Sequence, residues 1–342
     1  MSKKVLLGMS GGVDSTMSAL ILKDLGYEVE GVYMKLHNND AYHEKNYNSV
    51  KKVGELLGIK THFCDLGSDF KEKVYDYFVK SYEEGLTPNP CVICNREIKF
   101  NKLFEIADTL GADYLATGHY VRLIDGAIYE GSDKSKDQSY FLAKVRKEKL
   151  ERILFPLGEK FKDAIKESAK EIALIKDIAE QKESLEICFV EENYTDILKE
   201  HMDIDKVGDV INTKGDVIGD HSGYMHYTIG KRRGFNVHGA HDPHYVLDIN
   251  AKNNIITVGT YDELEVDTVT VKELNWLIDP PKDAFVCKIK VRYQSKPVEC
   301  ELKIEEEGSI IAHLKEGVFG VAKGQIAAFY DGERLLGGGV IS

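Results

Sequence analysis

Between an apolar run, KVLLGM at residues 4–9, and a stretch of helical spacing lies Gly8-Met9-Ser10-Gly11-Gly12-Val13-Asp14-Ser15. Two adjacent glycines let the backbone close on a ligand, and Ser10 and Ser15 offer hydroxyls. A helix starting there presents unpaired N–H groups and the positive end of its dipole, which favour an anion, phosphate first. The segment carries neither the GK[ST] of the Walker loop nor GxGxxG, so no lysine follows the glycines to hold a transferable terminal phosphate. The plainer alternative is a glycine turn in which Asp14 or Ser15 caps the helix.

The second group is Thr87-Pro88-Asn89-Pro90-Cys91-Val92-Ile93-Cys94-Asn95, followed by REIKF. Two prolines stiffen a loop that is expected to deliver Cys94 to a helix N-terminus, where a thiol pKa falls. The CxxC pattern supports a redox pair, half of a zinc site, or a catalytic cysteine with an accidental neighbour. No second CxxC or CxxH accompanies it. Cys188 sits in ICFV, a hydrophobic, strand-like setting that would suit a core residue, and Cys64, Cys287 and Cys300 lie in apolar or alternating strands that suit packing. His238, His241 and His244, in HGAHDPH, have a metal-like look, but a solvated Gly/Asp/Pro-rich loop is the simpler reading. Lys231-Arg232-Arg233 is the densest basic cluster, a phosphate contact or a solvated loop.

The elements that must hold these groups alternate. Strand-like 4–9 leads to a helix over 15–25 ending at Gly26. Then come a run near 29–36, a helix from about 44 to 57, a strand over 60–66 and a helix over 69–82. A helix over 95–110 and a strand over 112–117 follow. The alternation predicts α/β architecture, a doubly wound parallel sheet with ligands beyond the carboxyl ends of its strands. Residues 194–201 look like one more helix, and 208–248 are rich in Gly, Asp and His. From about Val266 the chain alternates with period two, predicting a small antiparallel β-barrel or sandwich.

The 342 residues carry 45 Lys+Arg against 57 Asp+Glu, a formal charge of −12. That excludes a protein held to nucleic acid by bulk positive charge, though not an RNA binder with a local basic surface. No stretch has the roughly 18 apolar residues of a membrane helix, and a cytoplasmic protein is expected. Six cysteines are too sparse for a disulfide scaffold.

SGGVDS, TPNPCVICNREIKF, ATGHY, KDQSYFL, EICFV and GQIAAFYDGERLLGGG, in this order, resemble the tRNA-specific 2-thiouridylase family over essentially the whole chain. SGGVDS by itself is similar to the signature loop of ATP pyrophosphatases. The resemblance implies three domains: an ATP-pyrophosphatase domain at 1–200, a central tRNA-recognition domain at 201–260 and a C-terminal β-barrel at 261–342. It implies a tRNA-uridine 2-sulfurtransferase that adenylates O2 of the wobble uridine and replaces it with sulfur. ATP, with Mg2+, would be held by Gly8, Met9, Ser10, Gly11, Gly12, Val13, Asp14, Ser15, Met34 and Gly118. Cys188 matches the residue that receives sulfur as a persulfide, and Cys94 the nucleophile that resolves it, leaving a Cys94–Cys188 disulfide.

Asn89, Pro90 and Cys91 match the loop that contacts the target base. His119, Lys136, Asp137, Gln138, Arg292, Tyr293 and Gln325 match tRNA contacts. The implied partners are tRNA, through the anticodon stem-loop of Glu, Gln or Lys acceptors, and a persulfide relay protein or cysteine desulfurase, with neither DNA nor membrane. Cys91 stands where some members have aspartate, which puts an acid/base role there in doubt. Cys91, Cys94 and Cys188 as ligands of an iron–sulfur cluster are the less favoured alternative, because the persulfide route needs Cys94 and Cys188 free. Other functions open to the chain are a different adenylating pyrophosphatase-loop enzyme, or an RNA-binding or redox protein that uses only CxxC.

Overall fold

The computed structural model describes residues 2–172, 187–190, 192–239, 242–305 and 308–342. Seven strands lie in the first half: β1 (Lys4–Gly8), β2 (Glu28–Lys35), β3 (Lys60–Asp65), β4 (Tyr114–Ala116), β5 (Val121–Ile124), β6 (Ala127–Glu130) and β7 (Ile153–Leu154). Five make a parallel sheet in the order β3-β2-β1-β4-β7. β1 is apolar at consecutive positions because both of its faces are buried. Val5 and Leu7 pack with Ala19 and Leu22 of α1 (Val13–Asp24) and Val50 and Val53 of α2 (Asp40–Leu57). Leu6, between them, faces the opposite way onto Phe104 and Ala107. The expected doubly wound sheet is therefore present. The chain leaves β1 for β2 on one side while β4 joins on the other, so a crevice opens beyond the carboxyl ends of β1 and β4.

Helix boundaries follow capping. α2 begins four residues before the expected Glu44, because the Asn39 side chain accepts a 3.1 Å hydrogen bond from the Tyr42 N–H, and it ends at Gly58, in the left-handed region at φ 62°. A helical run over 67–83 precedes the proline loop. After the loop, the segments Pro90–Cys94, Asn95–Lys102 and Leu103–Thr109 run end to end, kinked at Phe100, where φ is −113° and ψ 19°. The middle segment is wound wider, with i→i+5 hydrogen bonds.

The middle of the chain holds a sheet that its composition concealed. β8 (Gly208–Ile211), β9 (Val217–His221), β10 (Phe235–Val237), β11 (Tyr245–Asn250) and β12 (Ile255–Gly259) pair in the order β10-β9-β8-β12-β11 over a core of Val210, Tyr227, Val246, Ile256 and Val258. Gly208, Gly219 and Gly259 lie within its strands. A Cβ on Gly219 would stand 1.9 Å from the Asn236 carbonyl oxygen, and one on Gly208 2.1 Å from that of Asn254. Glycine here marks close backbone approach rather than a break.

The last six strands are β13 (Glu265–Trp276), β14 (Phe285–Lys290), β15 (Val298–Ile304), β16 (Ile310–Phe319), β17 (Ile326–Asp331) and β18 (Arg334–Ile341). They pair antiparallel in the order β13-β16-β15-β14-β17-β18, and β18 returns to β13, closing a barrel. Cys287 and Cys300 face each other across β14 and β15 with their sulfurs 3.8 Å apart, packed in its core. The β5–β6 hairpin of the first half extends the barrel sheet alongside β18.

Tyr140, fully buried, is one of the links between the two ends of the chain: its hydroxyl donates a 2.8 Å bond to the Ile326 carbonyl. Tyr140→Phe strands a buried carbonyl, and a loss of about 1–3 kcal/mol is expected, read as a lowered urea midpoint at unchanged slope.

Candidate active site

The glycine loop leaves β1 where the sequence placed it. Met9 N–H donates to the Val32 carbonyl at 2.8 Å, and Gly11 turns the chain at φ 83°. A Cβ there would stand 3.0 Å from the Asn46 carbonyl oxygen of α2, so the loop sits tightly on that helix. Gly12 caps α1 with its backbone alone, which sets aside the simple reading of Asp14 or Ser15 as the cap. Ser15 Oγ instead accepts from the Ser10 N–H at 3.3 Å and donates to the Gly12 carbonyl at 3.1 Å. Gly8, Met9, Ser10, Asp14 and Ser15 line a cavity of about 430 Å³. Gly11, Gly12 and Val13 form the turn behind it. Met34, at the end of β2, and Gly118, just past β4, line it too. A Cβ on Gly118 would lie 3.3 Å from the Asp14 backbone, so glycine there lets the end of β4 close on the first turn of α1.

The same cavity is lined by Pro90, Cys91, Cys94 and Cys188. The fold thus gathers thiols from residues 91, 94 and 188 around one space beside an anion loop. Asn89 is the cap of the cysteine helix, its Oδ1 accepting from the Val92 N–H at 3.3 Å, and Pro90 is its first residue. Cys94 is consequently the fifth helical residue, not the first. The dipole effect has faded by then and its own N–H is spent within the helix. Burial instead pushes the Cys94 thiol up to about 12, with Lys99 working against that shift. The expected lowering at a helix start is overturned. Cys91, half-buried, is also raised by burial and opposed by Lys99. Cys188, expected in a strand, lies in a turn closed by a 2.9 Å bond from the Val190 N–H to the Ile187 carbonyl. The residue as a whole is exposed, yet burial of its thiol against the cavity walls raises the pKa to about 11, Cys91 adds to the rise and Lys99 opposes it. Residues 180–186, which precede it in the sequence, fall outside the described residues.

The residues expected to touch tRNA divide into two groups. His119 and Gln138 line the cavity. His119 is buried and bonded through Nδ1 to Thr117 Oγ1 at 2.7 Å; burial, with help from Lys99, holds its pKa well below the usual histidine value, so the ring is neutral. Gln138 accepts from the Tyr120 N–H at 3.0 Å. Asp137 is buried and accepts from the N–H groups of Gly131 and Ser139 at 3.0 Å and from Ser139 Oγ at 2.9 Å, so its carboxylate organises the loop that presents half-buried Lys136. Gln325 Nε2 donates to the carbonyls of Thr87 (3.1 Å) and Pro88 (3.2 Å), tying the proline loop to the barrel. Tyr293 stacks on Phe141 at 4.4 Å. Arg292 donates to the Ile229 carbonyl at 3.1 Å, next to the exposed 231–233 basic triplet.

Three groups escaped the sequence reading. Lys162 is buried, and its ammonium lies 2.6 and 2.7 Å from the two carboxylate oxygens of Asp14; Tyr120 OH donates to the same carboxylate at 2.8 Å. A lysine does stand at the glycine loop, 148 residues along the chain. Lys99 lines the cavity with the thiols. Five residues after Cys94, it would face roughly 140° away in a regular helix, but the wider winding of 95–102 brings it round toward the cysteine face. No local signal in the sequence marks either lysine.

Among the described residues, no group of three or more His, Cys, Asp or Glu side chains is arranged to hold a metal ion. The three cysteines surround the cavity without forming a ligand set for an iron–sulfur cluster. His238 approaches Asp220 at 3.7 Å and His244 bonds the Asp242 carbonyl, while His241 lies outside the described residues. No described helix is long and apolar enough to cross a membrane.

An α/β domain with an anion loop and a thiol cluster at its switch point, followed by two all-β units, is the class of protein these features define. Residues 3–192 match the tRNA methyl transferase HUP domain, 195–260 the tRNA methyl transferase PRC-barrel domain and 266–341 the aminomethyltransferase beta-barrel domain. A tRNA-specific 2-thiouridylase MnmA of Nitratiruptor sp. is 54% identical over 342 residues, covering 100% of both chains. One from Sulfurimonas denitrificans is 53% identical over 100% of this chain and 99% of its own, and one from Campylobacter curvus 52% identical over 99% of each. The chain belongs to the tRNA-specific 2-thiouridylase family. Among solved structures, a 4-thiouridine synthetase–RNA complex with bound ATP overlaps 53% of this chain and 43% of its own at 20% identity and a TM-score of 0.35, a likeness too slight to carry an argument.

Lys99 is the cation that lowers the affinity of all three cavity thiols for protons. In Lys99→Met the rate of iodoacetamide alkylation at Cys91, Cys94 and Cys188, followed by peptide mass spectrometry at fixed mildly alkaline pH, is expected to fall, because a smaller fraction of each thiol is thiolate.

Proposed function

We propose that this chain is an ATP-dependent tRNA-uridine 2-sulfurtransferase acting on the wobble uridine of tRNA. The observation that carries the reading is the single cavity in which the glycine loop and the thiols of Cys91, Cys94 and Cys188 face one another. The curated relatives named for 2-thiolation support it. The domain matches are named for methyl transfer, but a cluster of thiols beside an anion loop suits sulfur and adenylate chemistry better.

In this reading ATP lies with its phosphates against Ser10 and Ser15 at the α1 N-terminus and its adenosine toward Met34 and Gly118. Magnesium would arrive with the phosphates. Asp14, the loop carboxylate, is already held by Lys162 and Tyr120, so a metal bound directly to it would have to displace that ammonium. Buried Lys162 supplies positive charge where pyrophosphate develops.

An anticodon-loop base can splay into a protein pocket. Here it would enter beside Pro90 and Cys91, with neutral His119 and Gln138 on the walls. Uridine O2 attacks the α-phosphorus of ATP, pyrophosphate leaves, and the oxygen becomes part of an AMP leaving group. Cys188 carries sulfur as a persulfide. Cys94, as thiolate, attacks the inner sulfur and breaks the S–S bond. A Cys94–Cys188 disulfide forms and the outer sulfur departs with the electron pair as sulfide. Sulfide adds to C2 and AMP leaves. An external dithiol then reduces the disulfide. Lys99 favours the thiolate that Cys94, buried as it is, otherwise resists forming. The tRNA partners are the Glu, Gln and Lys acceptors and the donor is a persulfide carrier or cysteine desulfurase, in a cytoplasmic setting.

Nucleoside mass spectrometry of tRNA from cells lacking the protein is the direct test: 2-thiouridine derivatives at position 34 should vanish, and their retention sinks the reading. Cys188→Ser should abolish thiolation while tRNA-dependent release of pyrophosphate from ATP persists. Lys162→Met should instead cut pyrophosphate release, by about two to three orders of magnitude if it acts as a transition-state charge partner, with the folded state checked by circular dichroism.

A further inference from the structure

Cys188 opens onto two spaces. One is the cavity it shares with the glycine loop; the other is a groove of about 1060 Å³. Cys188, Phe189, Tyr42 and His37 line both, while no residue of the 8–15 loop lines the groove. The thiol can therefore be reached from the groove while nucleotide and base fill the inner cavity. The floor is apolar, made by Phe70, Ile187, Val190 and Ile197. Along the wall stand Glu192, Asp196 and Glu200, at intervals of four on and around helix Tyr194–Lys199. All three are exposed, and none is ion-paired with a described residue. The basic groups of the same wall are occupied: Lys71 pairs with Asp76 at 2.7 Å, and His201 Nε2 bonds Tyr75 OH at 2.9 Å. Residues 151–200 carry 8 basic and 13 acidic groups, an excess of five acids within a chain of net charge −12.

Resting on the 2-thiolation reading, we propose that this groove is the docking site for the persulfide-bearing segment of a sulfur-carrier protein, an extended segment rich in Lys or Arg. At about 1060 Å³ the groove stands at the upper end of the range for small-molecule pockets and accommodates several residues of chain. An apolar floor with unpaired carboxylates along one wall complements apolar and cationic side chains, and would repel the polyanionic tRNA from this mouth. The groove thus separates the two polymers by charge, carrier on the acidic side and tRNA at the inner cavity. At its inner end, the Cys188 thiolate attacks the outer sulfur of the carrier persulfide R–S–SH. The carrier S–S bond breaks, Cys188–S–SH forms and the carrier leaves as R–S⁻, with no net oxidation.

The test uses the full chain and three probes: a short lysine-rich peptide carrying one cysteine persulfide, its glutamate-rich counterpart, and a neutral alkyl persulfide. Gain of one sulfur on the Cys188 peptide is followed by mass spectrometry. The lysine-rich donor should react about tenfold or more faster than the glutamate-rich one at low salt, with the advantage fading as salt rises. The E192Q/D196N/E200Q variant should lose that advantage and E192K/D196K/E200K should invert it, both keeping the wild-type rate with the neutral donor. Equal rates for the two peptides, or a lysine-rich donor indifferent to these substitutions while the neutral donor still charges Cys188, would overturn the groove alone. Failure of Cys188 to take sulfur from any donor would overturn the 2-thiolation reading and the groove with it.

Discussion

The site depends on the way one rigid loop is held from outside its own domain. Gln325 donates to the carbonyls of Thr87 and Pro88, and Thr87 N–H donates to the Lys323 carbonyl at 2.8 Å. Gly324 admits the approach, since a Cβ there would stand 2.9 Å from that of Leu86. The loop so pinned ends at Asn89, whose side chain starts the helix that carries both Cys91 and Cys94. The barrel at the end of the chain thereby sets the position of thiols near its beginning. With two prolines restricting the loop and two side-chain anchors fixing its ends, little freedom is left to lose when a substrate binds.

Electrostatics at the site divides the work between two lysines. Lys162 neutralises Asp14 at the anion loop, where a phosphate would otherwise meet a carboxylate. Lys99 faces the thiols, each raised by burial, and moderates that penalty. Burial thus favours the protonated form of Cys94, and the fixed cation beside it works against that preference. Cys188 has the opposite exposure. It stands in a turn open to two spaces. The net charge of −12 agrees with this division, since part of the acidic excess faces the groove rather than the cavity where a polyanion would enter.

Much of this was legible in the residues themselves. The glycine loop could be read because a buried strand, two glycines and a helix start are consecutive in the chain, and local backbone chemistry dictates their conformation. The antiparallel strands of the last third could be read from period-two alternation, though not their closure into a barrel, and the parallel sheet from alternating strand-like and helical runs. The central sheet escaped because its strands contain glycine for close packing, and glycine reads as a turn. Cys94 was misplaced on its helix because the cap is Asn89, five positions earlier. Tyr120, Gln325 and Asp137 act through hydrogen bonds to partners distant in the chain or turned inward, which residue type alone does not disclose.

By itself, then, the sequence determined the class of fold, the glycine loop and the family, because each rests on residues adjacent along the chain or on motifs read as units. Only the tertiary structure decided that Lys162 meets Asp14, that Lys99 turns toward the cysteines, that Cys94 is buried while Cys188 is exposed, and that Cys188 faces two spaces. Those outcomes follow from burial and from contacts spanning tens to hundreds of residues. A pKa, a cavity wall or an ion pair is a property of neighbours in space, and the linear order of residues does not specify which neighbours meet.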